Sequence, residues 1–401
     1  MSRILDIKSV PAYDNSINKF EYHSYSPFLK AFNNSDEIRI AIQHQDLCIL
    51  PNESYIYIEG TLRKKANGTV SATAKLVNNA IAFLFDEIRY ELNGVEIDRT
   101  RNVGTSTTIK NFLSLSENES KMLYNSGWSP VEPTIPVNGN FNFCLPLKNL
   151  LGFFEDYKKI IVNAKHELIL IRARSDENTY ILADDDDVVL NIIKLQWRIP
   201  HITVADEEKL PLLKVIESNQ PLQISFRSWD MYEYPTLPNA TAHSWTVKTS
   251  TQLEKPRYVI LALQTNRKYQ KNKDVTIFDH CEVTDVKIHL NSESYPYDDL
   301  NTNFNHDHYA LLYDVYSKFQ QSYYERQSNP LLSREQFKSV APIIVIDCSH
   351  QNESIKTGPV DIRIELKTNR NIPANTSMYC LLLHDRIVEY NPLTSEVHKV
   401  T

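Results

Sequence analysis

The sequence contains very little glycine, and this scarcity excludes several classes of active site. Only eight of the 401 residues are glycine, and no phosphate-binding loop, dinucleotide-binding fingerprint or nucleophile-elbow motif occurs. Long blocks of basic residues are also missing, and the formal net charge is −7. Because a protein that grips the nucleic-acid backbone needs a patch of cations, we expect no direct, sequence-specific contact with nucleic acid.

Cysteines and long apolar runs are also few. The five cysteines are scattered, odd in number and never spaced as a C-x-x-C pair, so we expect small buried side chains in a reducing compartment. No leader-like apolar stretch follows Met1, and no run of about 18 apolar residues could span a bilayer. The expectation is a protein that works inside cells, or in a particle assembled there.

Alternating hydrophobicity is what the sequence has in quantity. A period-2 pattern runs through residues 38–43, 222–227 and 360–367, as a strand with one buried and one wet face requires. Residues 343–346 are apolar throughout, which is typical of a strand covered on both faces. A further apolar strand face is predicted from Ile193, Leu195, Trp197 and Ile199. Helices are few, so the predicted fold class is all-β.

The order of the predicted elements repeats once along the chain. Leu92-Asn93 and Leu290-Asn291 each end a strand, lie 198 residues apart and precede a predicted helix, near residues 107–115 and 308–319. We also match residues 38–43 with 222–227 and residues 55–58 with 258–261. Two strands near Leu168 and Val188 likewise match two near Ile362 and Tyr379. The shared order predicts one domain used twice.

Eight strands packed as two sheets form a jelly roll, an arrangement that protects the sheet edges. We therefore predict two tandem eight-stranded jelly rolls with short helices in loops. An all-β sandwich of another topology is the alternative. The predicted boundaries are an N-terminal arm at 1–30, a first jelly roll at 31–200, a linker at 201–217 and a second jelly roll at 218–401. The linker should contain a short helix, with Asp206, Glu207 and Glu208 at its positive end.

One segment of about 40 residues carries a family resemblance. Pro256-Arg-Tyr-Val-Ile-Leu-Ala-Leu-Gln264, followed by Val286 to Tyr297 with its Leu290-Asn and Tyr295-Pro, resembles double jelly-roll major capsid proteins. The similarity is greatest to those of Polinton (Maverick) elements and adintoviruses, with virophages and large eukaryotic DNA viruses more distant. Residues 85–97 resemble the family in the order of their elements more than in their amino acids.

The resemblance implies a structural protein rather than an enzyme, with no cofactor. It implies that three copies form a pseudo-hexagonal capsomer, and that capsomers build an icosahedral shell with a penton or minor capsid protein. The expected location is the virion capsid, assembled in the cytoplasm or nucleus of a host cell. The alternatives are a host-retained or secreted-type tandem jelly-roll binding protein of lectin-like character, and a glycan-acting hydrolase.

The predicted N-terminal arm carries aromatic side chains among asparagine and serine. Tyrosine offers a large contact area with a polar tip, so these residues are candidates for contact with a neighbouring subunit. An arm folded over its own domain is an equal alternative. The candidate residues are Tyr13, Phe20, Tyr22, Tyr25 and Phe28.

Other polar or aromatic clusters could bind a ligand. The acidic run Asp184, Asp185, Asp186 and Asp187 predicts a solvated hairpin turn, with a cation site as the alternative because hard cations prefer several oxygens. His306 and His308 could offer two imidazoles to a metal, although no third ligand is in register. Aromatic side chains that could stack a sugar, or form the core instead, are Trp229, Tyr232, Tyr234 and Trp245.

Overall fold

The computed structural model describes residues 16–43, 48–130, 133–182, 187–247, 256–291, 293–350 and 361–400. The first half contains β1 (Ile17–Tyr25), β2 (Glu37–Ile42), β3 (Cys48–Ile49), β4 (Tyr55–Lys64), β5 (Lys75–Leu76), β6 (Phe85–Leu92), β7 (Val95–Arg101), α1 (Val103–Ser114), α2 (Glu117–Met122), β8 (Asn140–Pro146), α3 (Gly152–Asp156), β9 (Ile161–Val162), β10 (His166–Arg172), β11 (Tyr180–Ile181) and β12 (Val188–Val204). The second half contains α4 (Asp206–Glu217), β13 (Leu222–Tyr234), β14 (Ala242–Val247), β15 (Tyr258–Thr265), β16 (Val283–Leu290), β17 (Glu293–Tyr295), α5 (Ala310–Tyr324), α6 (Arg334–Ser339), β18 (Ile344–Asp347), β19 (Ile362–Thr368), β20 (Thr376–Tyr390) and β21 (Val397–Val400).

Each half folds into two antiparallel sheets whose four main strands follow the same order in both halves. The short strands β3 and β9 extend one sheet of the first half, and β21 extends one sheet of the second. In the first unit one sheet runs β1-β12-β4-β8 and the other β2-β10-β6-β7. In the second unit the sheets run β13-β20-β15-β18 and β14-β19-β16-β17. In each unit the first, last, third and sixth of these eight strands share one sheet, which is the jelly-roll arrangement. The prediction of an all-β chain with two tandem eight-stranded jelly rolls is confirmed.

The repeat is confirmed for most of the matched strands and corrected for one. Strands β6 and β16 are equally long and match residue for residue, and Asn93 and Asn291 after them both adopt a left-handed backbone. The match of residues 38–43 with 222–227 is wrong, because β2 pairs with β10 while β13 pairs with β20. The true counterparts are β2 with β14 and β1 with β13. Alternation alone could not separate two strands of similar pattern.

The first strand begins inside the predicted arm. Residues 17–25 form β1, which pairs with β12 of the same chain and occupies the place that β13 holds in the second unit. Residues 17–25 of the predicted arm therefore pack on the sheet of their own chain, which was one of the two predicted roles. The linker also starts later than residue 201, because β12 continues to Val204 through its pairing with β1 and β3.

Helix α4 follows β12 as the connector between the two units. Its first turn holds Asp206, Glu207 and Glu208, as predicted, and none of its residues is buried. Helices α1 and α5 confirm the two predicted helices within the repeat. One predicted strand face needs correction: Ile193 is 62% exposed, because the pairing of β12 with β4 shifts register between Ile192 and Lys194.

The two jelly rolls share their hydrophobic cores. Phe112 and Leu113 of α1, in the first unit, belong to the buried cluster of the second unit. In return Phe226, Val388 and Tyr390 of the second unit belong to the cluster of the first. Since each unit completes the core of the other, the units are fixed against each other rather than joined only by α4.

Candidate assembly surface

The junction between the units is built on a glycine. In α3, Gly152 lies against β13 so closely that an added Cβ would be 1.7 Å from the Arg227 carbonyl oxygen. This close approach places Asp156 beside Arg227, whose Nη2 and Nε donate to the two carboxylate oxygens over 2.6 and 2.9 Å. The Arg227 guanidinium also lies 4.3 Å from the centre of the Tyr323 ring. A bidentate, stacked arginine fixes orientation as well as distance.

A second polar cluster joins the units beside it. Asp98 of β7 is almost fully buried and accepts hydrogen bonds from the Phe153 backbone N–H and the Ser228 hydroxyl, both over 3.0 Å. Burial raises the pKa of the Asp98 carboxyl, and Arg386, 4.0 Å away, opposes that shift. Arg386 itself donates to Asp230 over 2.8 Å. Sequence reasoning missed both clusters, although the scarcity of glycine could have marked Gly152 as a point of close approach.

Helix α5 of the second unit closes the junction on its other side. The Tyr316 hydroxyl donates to the Phe112 carbonyl over 2.9 Å, and Gln320 Nε2 donates to the Leu115 carbonyl over 3.0 Å. Arg326 forms an ion pair with Glu119 of α2, with N–O distances of 2.5 and 3.0 Å. These bonds tie α5 of the second unit to α1 and α2 of the first, so the two units are held against each other at several points.

The outer surface of β1 presents the predicted aromatic residues. Phe20 and Tyr22 are 47% and 41% exposed, and Phe28, just beyond the strand, is 98% exposed. Tyr25 is half-buried and its hydroxyl lies 3.0 Å from Nε2 of His201. Tyr13 lies outside the described residues. Eight of the nine β1 residues are exposed, so no described part of the chain covers this strand.

The aromatic surface continues from β1 across the sheet. The ring of Tyr22 lies 5.6 Å from that of Tyr55 on β4, two strands away. Arg198 lies 5.8 Å from the Tyr55 ring, and Lys194 lies 5.3 Å from the ring of Tyr57. Tyrosine and arginine are the residues most enriched where protein surfaces meet. This face has the composition of a contact surface.

The acidic run lies mostly outside the described residues, which include Asp187 but not Asp184, Asp185 or Asp186. Asp187 forms an ion pair with Lys271 of the second unit, and this lysine lowers the pKa of its carboxyl. Across the described ranges, no group of three or more His, Cys, Asp or Glu side chains could hold a metal ion. The cation site at this run stays a prediction.

The other candidate ligand residues have neighbours within the chain. The rings of His306 and His308 lie 6.2 Å apart, and Asp307 between them binds Lys338 over 2.7 Å. Trp229 is buried in the core, with Lys110 5.2 Å from its ring. The half-buried Trp245 packs edge-on against Tyr234, with Tyr232 beside the same core. These aromatic rings therefore lie in the core or pack against it.

All five cysteines are free thiols; Cys348 and Cys380 are buried, and Cys48, Cys144 and Cys281 are half-buried. Burial raises the pKa of Cys281 to about 11, so its reactive thiolate is scarce at neutral pH. Among the described residues, no helix is both long and apolar enough to cross a bilayer.

Comparisons with known proteins agree with this architecture. A family model described as "Double jelly roll-like domain" matches residues 74–388, which is most of the chain. Against curated proteins, a sequence search found no significant match.

Several solved viral structures are similar over nearly the whole chain. A structure of the Sputnik virophage matches with a TM-score of 0.66 and 8% identity, covering 100% of this chain and 92% of that one. VP54 of PBCV-1 matches with a TM-score of 0.62 and 12% identity, covering 98% and 99%. The Faustovirus major capsid protein matches with a TM-score of 0.61 and 10% identity, covering 96% and 92%. At such identities the likeness establishes the fold.

Proposed function

Because this chain belongs to the double jelly roll-like domain family, we propose that it is the major capsid protein of an icosahedral DNA virus or Polinton-like element. The observation that carries the proposal is the junction: two jelly rolls are fixed as one body, while the aromatic face of β1 stays uncovered by the described chain. A rigid pair of similar modules suits a shell, because three copies provide six modules for a hexagonal position.

In this proposal Phe20, Tyr22 and Phe28 contact a neighbouring subunit. Tyr25, on the opposite face of β1, contacts His201 of its own chain and so stabilises the position of the strand. The capsomer is a homotrimer, and trimers join one another and a penton or minor capsid protein to close the shell. Assembly takes place in the host cell, and the protein then resides in the virion. The work of the chain is to assemble, so its role requires no catalytic group or cofactor.

A lectin-like binding protein or a glycan-acting enzyme gains no support from these aromatic candidates, since Trp229 lies in the core and the other three pack against it. Light scattering on the purified protein separates these functions from assembly. We expect the mass of a trimer, three times the 46.5 kDa of one chain. A chain that stays monomeric at all concentrations and binds glycans would contradict the capsid function.

A further inference from the structure

The junction inside the chain has a matching set of residues in the first unit. Strands β1 and β13 align at their first residues, as do β2 and β14, because both pairs keep the same partners in their sheets. Strands β12 and β20 align through their pairing with β4 and β15, which begin at Tyr55 and Tyr258. By this alignment, Ser228, Asp230 and Arg386 correspond to His23, Tyr25 and His201.

The matching residues contact one another in the same way. Arg386 donates to Asp230 over 2.8 Å, and the corresponding His201 lies 3.0 Å from the Tyr25 hydroxyl. His23 adds a ring stacked on His201, with centroids 4.1 Å apart. Since the local contacts are preserved while the residue types change, the first unit carries a second version of the junction surface.

The two versions differ in what covers them. In the second unit β7 and α3 pack on β13, and five β13 residues are buried, including Phe226 and Ser228. In the first unit eight of nine β1 residues are exposed. Strand β13 of the second unit is covered by β7 of the first unit. By the same relation, its counterpart β1 should be covered by the second-unit strand that matches β7.

That strand is β17. Asp98 of β7 lies opposite Tyr90 of β6, and Tyr295 of β17 lies opposite Ile288 of β16, which is the counterpart of Tyr90. Tyr295 is therefore the counterpart of Asp98. Its hydroxyl donates to Glu293 over 2.6 Å, so both side chains lie on one face of the strand. Glu293 is exposed, as is Tyr297 just beyond the strand, whereas Tyr295 is half-buried against its own core, so the Glu293 part of this face is open to contact.

We infer that the edge formed by β1 and β12 packs on β17 of a second copy of this chain, with His23 facing Tyr295 and Glu293 while the buried His201 supports the His23 ring from within its own chain. This inference rests on the proposed function and adds a second contact between copies, on the face of β1 opposite Phe20 and Tyr22. The imidazole N–H of the exposed His23 is a donor and the Glu293 carboxylate is an acceptor, so these two groups are complementary. Each copy offers both surfaces at different places, and such head-to-tail contacts can close a ring.

Engineered cysteines test the contact in the full-length chain. The variant pair His23→Cys and Glu293→Cys replaces two exposed residues, so the fold should tolerate it. The matched control combines His23→Cys with Ser294→Cys, because Ser294 is exposed on the opposite face of β17. Mild oxidation with copper phenanthroline is followed by a non-reducing gel and by mass spectrometry of the linked peptides.

We expect disulfide-linked dimers and closed trimers joined through residues 23 and 293, about tenfold more abundant than in the control or either single variant, because fixed proximity raises the local thiol concentration. A chain that is trimeric by light scattering but forms no such link would overturn the surface and leave the capsid function standing. A link within one chain, or one that appears only after residues 1–15 are removed, would overturn it too, since the chain itself would then cover β1. A monomeric chain would overturn both proposals.

Discussion

Removing the Asp156 carboxylate should show how much its pair with Arg227 at the junction contributes to the free energy of unfolding. Asp156 accepts two hydrogen bonds from the Arg227 side chain and a third from the Arg227 backbone N–H over 2.8 Å. The carboxylate is 16% exposed and the guanidinium 26% exposed, so the pair is largely but not fully desolvated. In Asp156→Ala the arginine loses its counter-ion while Tyr323 still covers one face of it.

Breaking a fully buried ion pair costs about 3–5 kcal/mol. Because a quarter of the Arg227 side chain still meets water, we expect Asp156→Ala to lower the free energy of unfolding by about 2–4 kcal/mol. The matched control is Asp314→Ala, which breaks the 2.8 Å pair with Lys318 on the exposed surface of α5. That change should cost about 0.5 kcal/mol or less.

Urea denaturation at one fixed chain concentration, followed by tryptophan fluorescence and circular dichroism, measures both effects. The two probes should report one coincident transition in the unmodified chain, because each unit completes the core of the other. A double-mutant cycle with Arg227→Ala isolates the pair itself. Equal, small losses in Asp156→Ala and Asp314→Ala, or a coupling energy near zero, would refute the role given to this pair.

Two more substitutions test packing and titration. Gly152→Ala should lower the free energy of unfolding, measured by urea denaturation, by at least about 3 kcal/mol, since its Cβ would meet the Arg227 carbonyl at 1.7 Å. The control Gly94→Ala, whose Cβ meets nothing within 4 Å, should lose only about 1–2 kcal/mol, because its backbone is left-handed. A smaller loss for Gly152→Ala than for Gly94→Ala would refute the close approach. Burial lowers the pKa of His166 to about 3 from 6.5, so the unfolded chain binds a proton that the folded chain refuses between these pH values, and stability falls as pH drops through that window. Between pH 7 and pH 5 this histidine should lower the free energy of unfolding by about 2 kcal/mol. The variant His166→Asn should lack that part of the pH dependence. Identical pH dependence of stability in both proteins would contradict the lowered pKa of His166.

The sequence predicted those features that depend on local pattern. Strand β19 was recognisable because Ile362, Ile364 and Leu366 alternate with charged residues, and one face of it is buried. The tandem repeat was recognisable from Leu92-Asn93 and Leu290-Asn291, since a strand that ends in a left-handed turn favours asparagine.

Features that depend on distant partners were not predictable in this way. The register shift that exposes Ile193 depends on the pairing of β12 with β4, and nothing in the local alternation announces it. The identity of β1 as the first jelly-roll strand was hidden because its exposed face carries Phe20 and Tyr22, a pattern that equally describes a free arm. The junction needed the position of Asp98 against Ser228, 130 residues along the chain.

Electron microscopy of the concentrated, full-length protein tests the capsid function most directly. We expect pseudo-hexagonal particles with three-fold symmetry, each with six jelly-roll modules, that pack into hexagonal sheets or closed shells. Trimers that never pack laterally at any concentration or ionic strength, or single chains dispersed without contact, would contradict it.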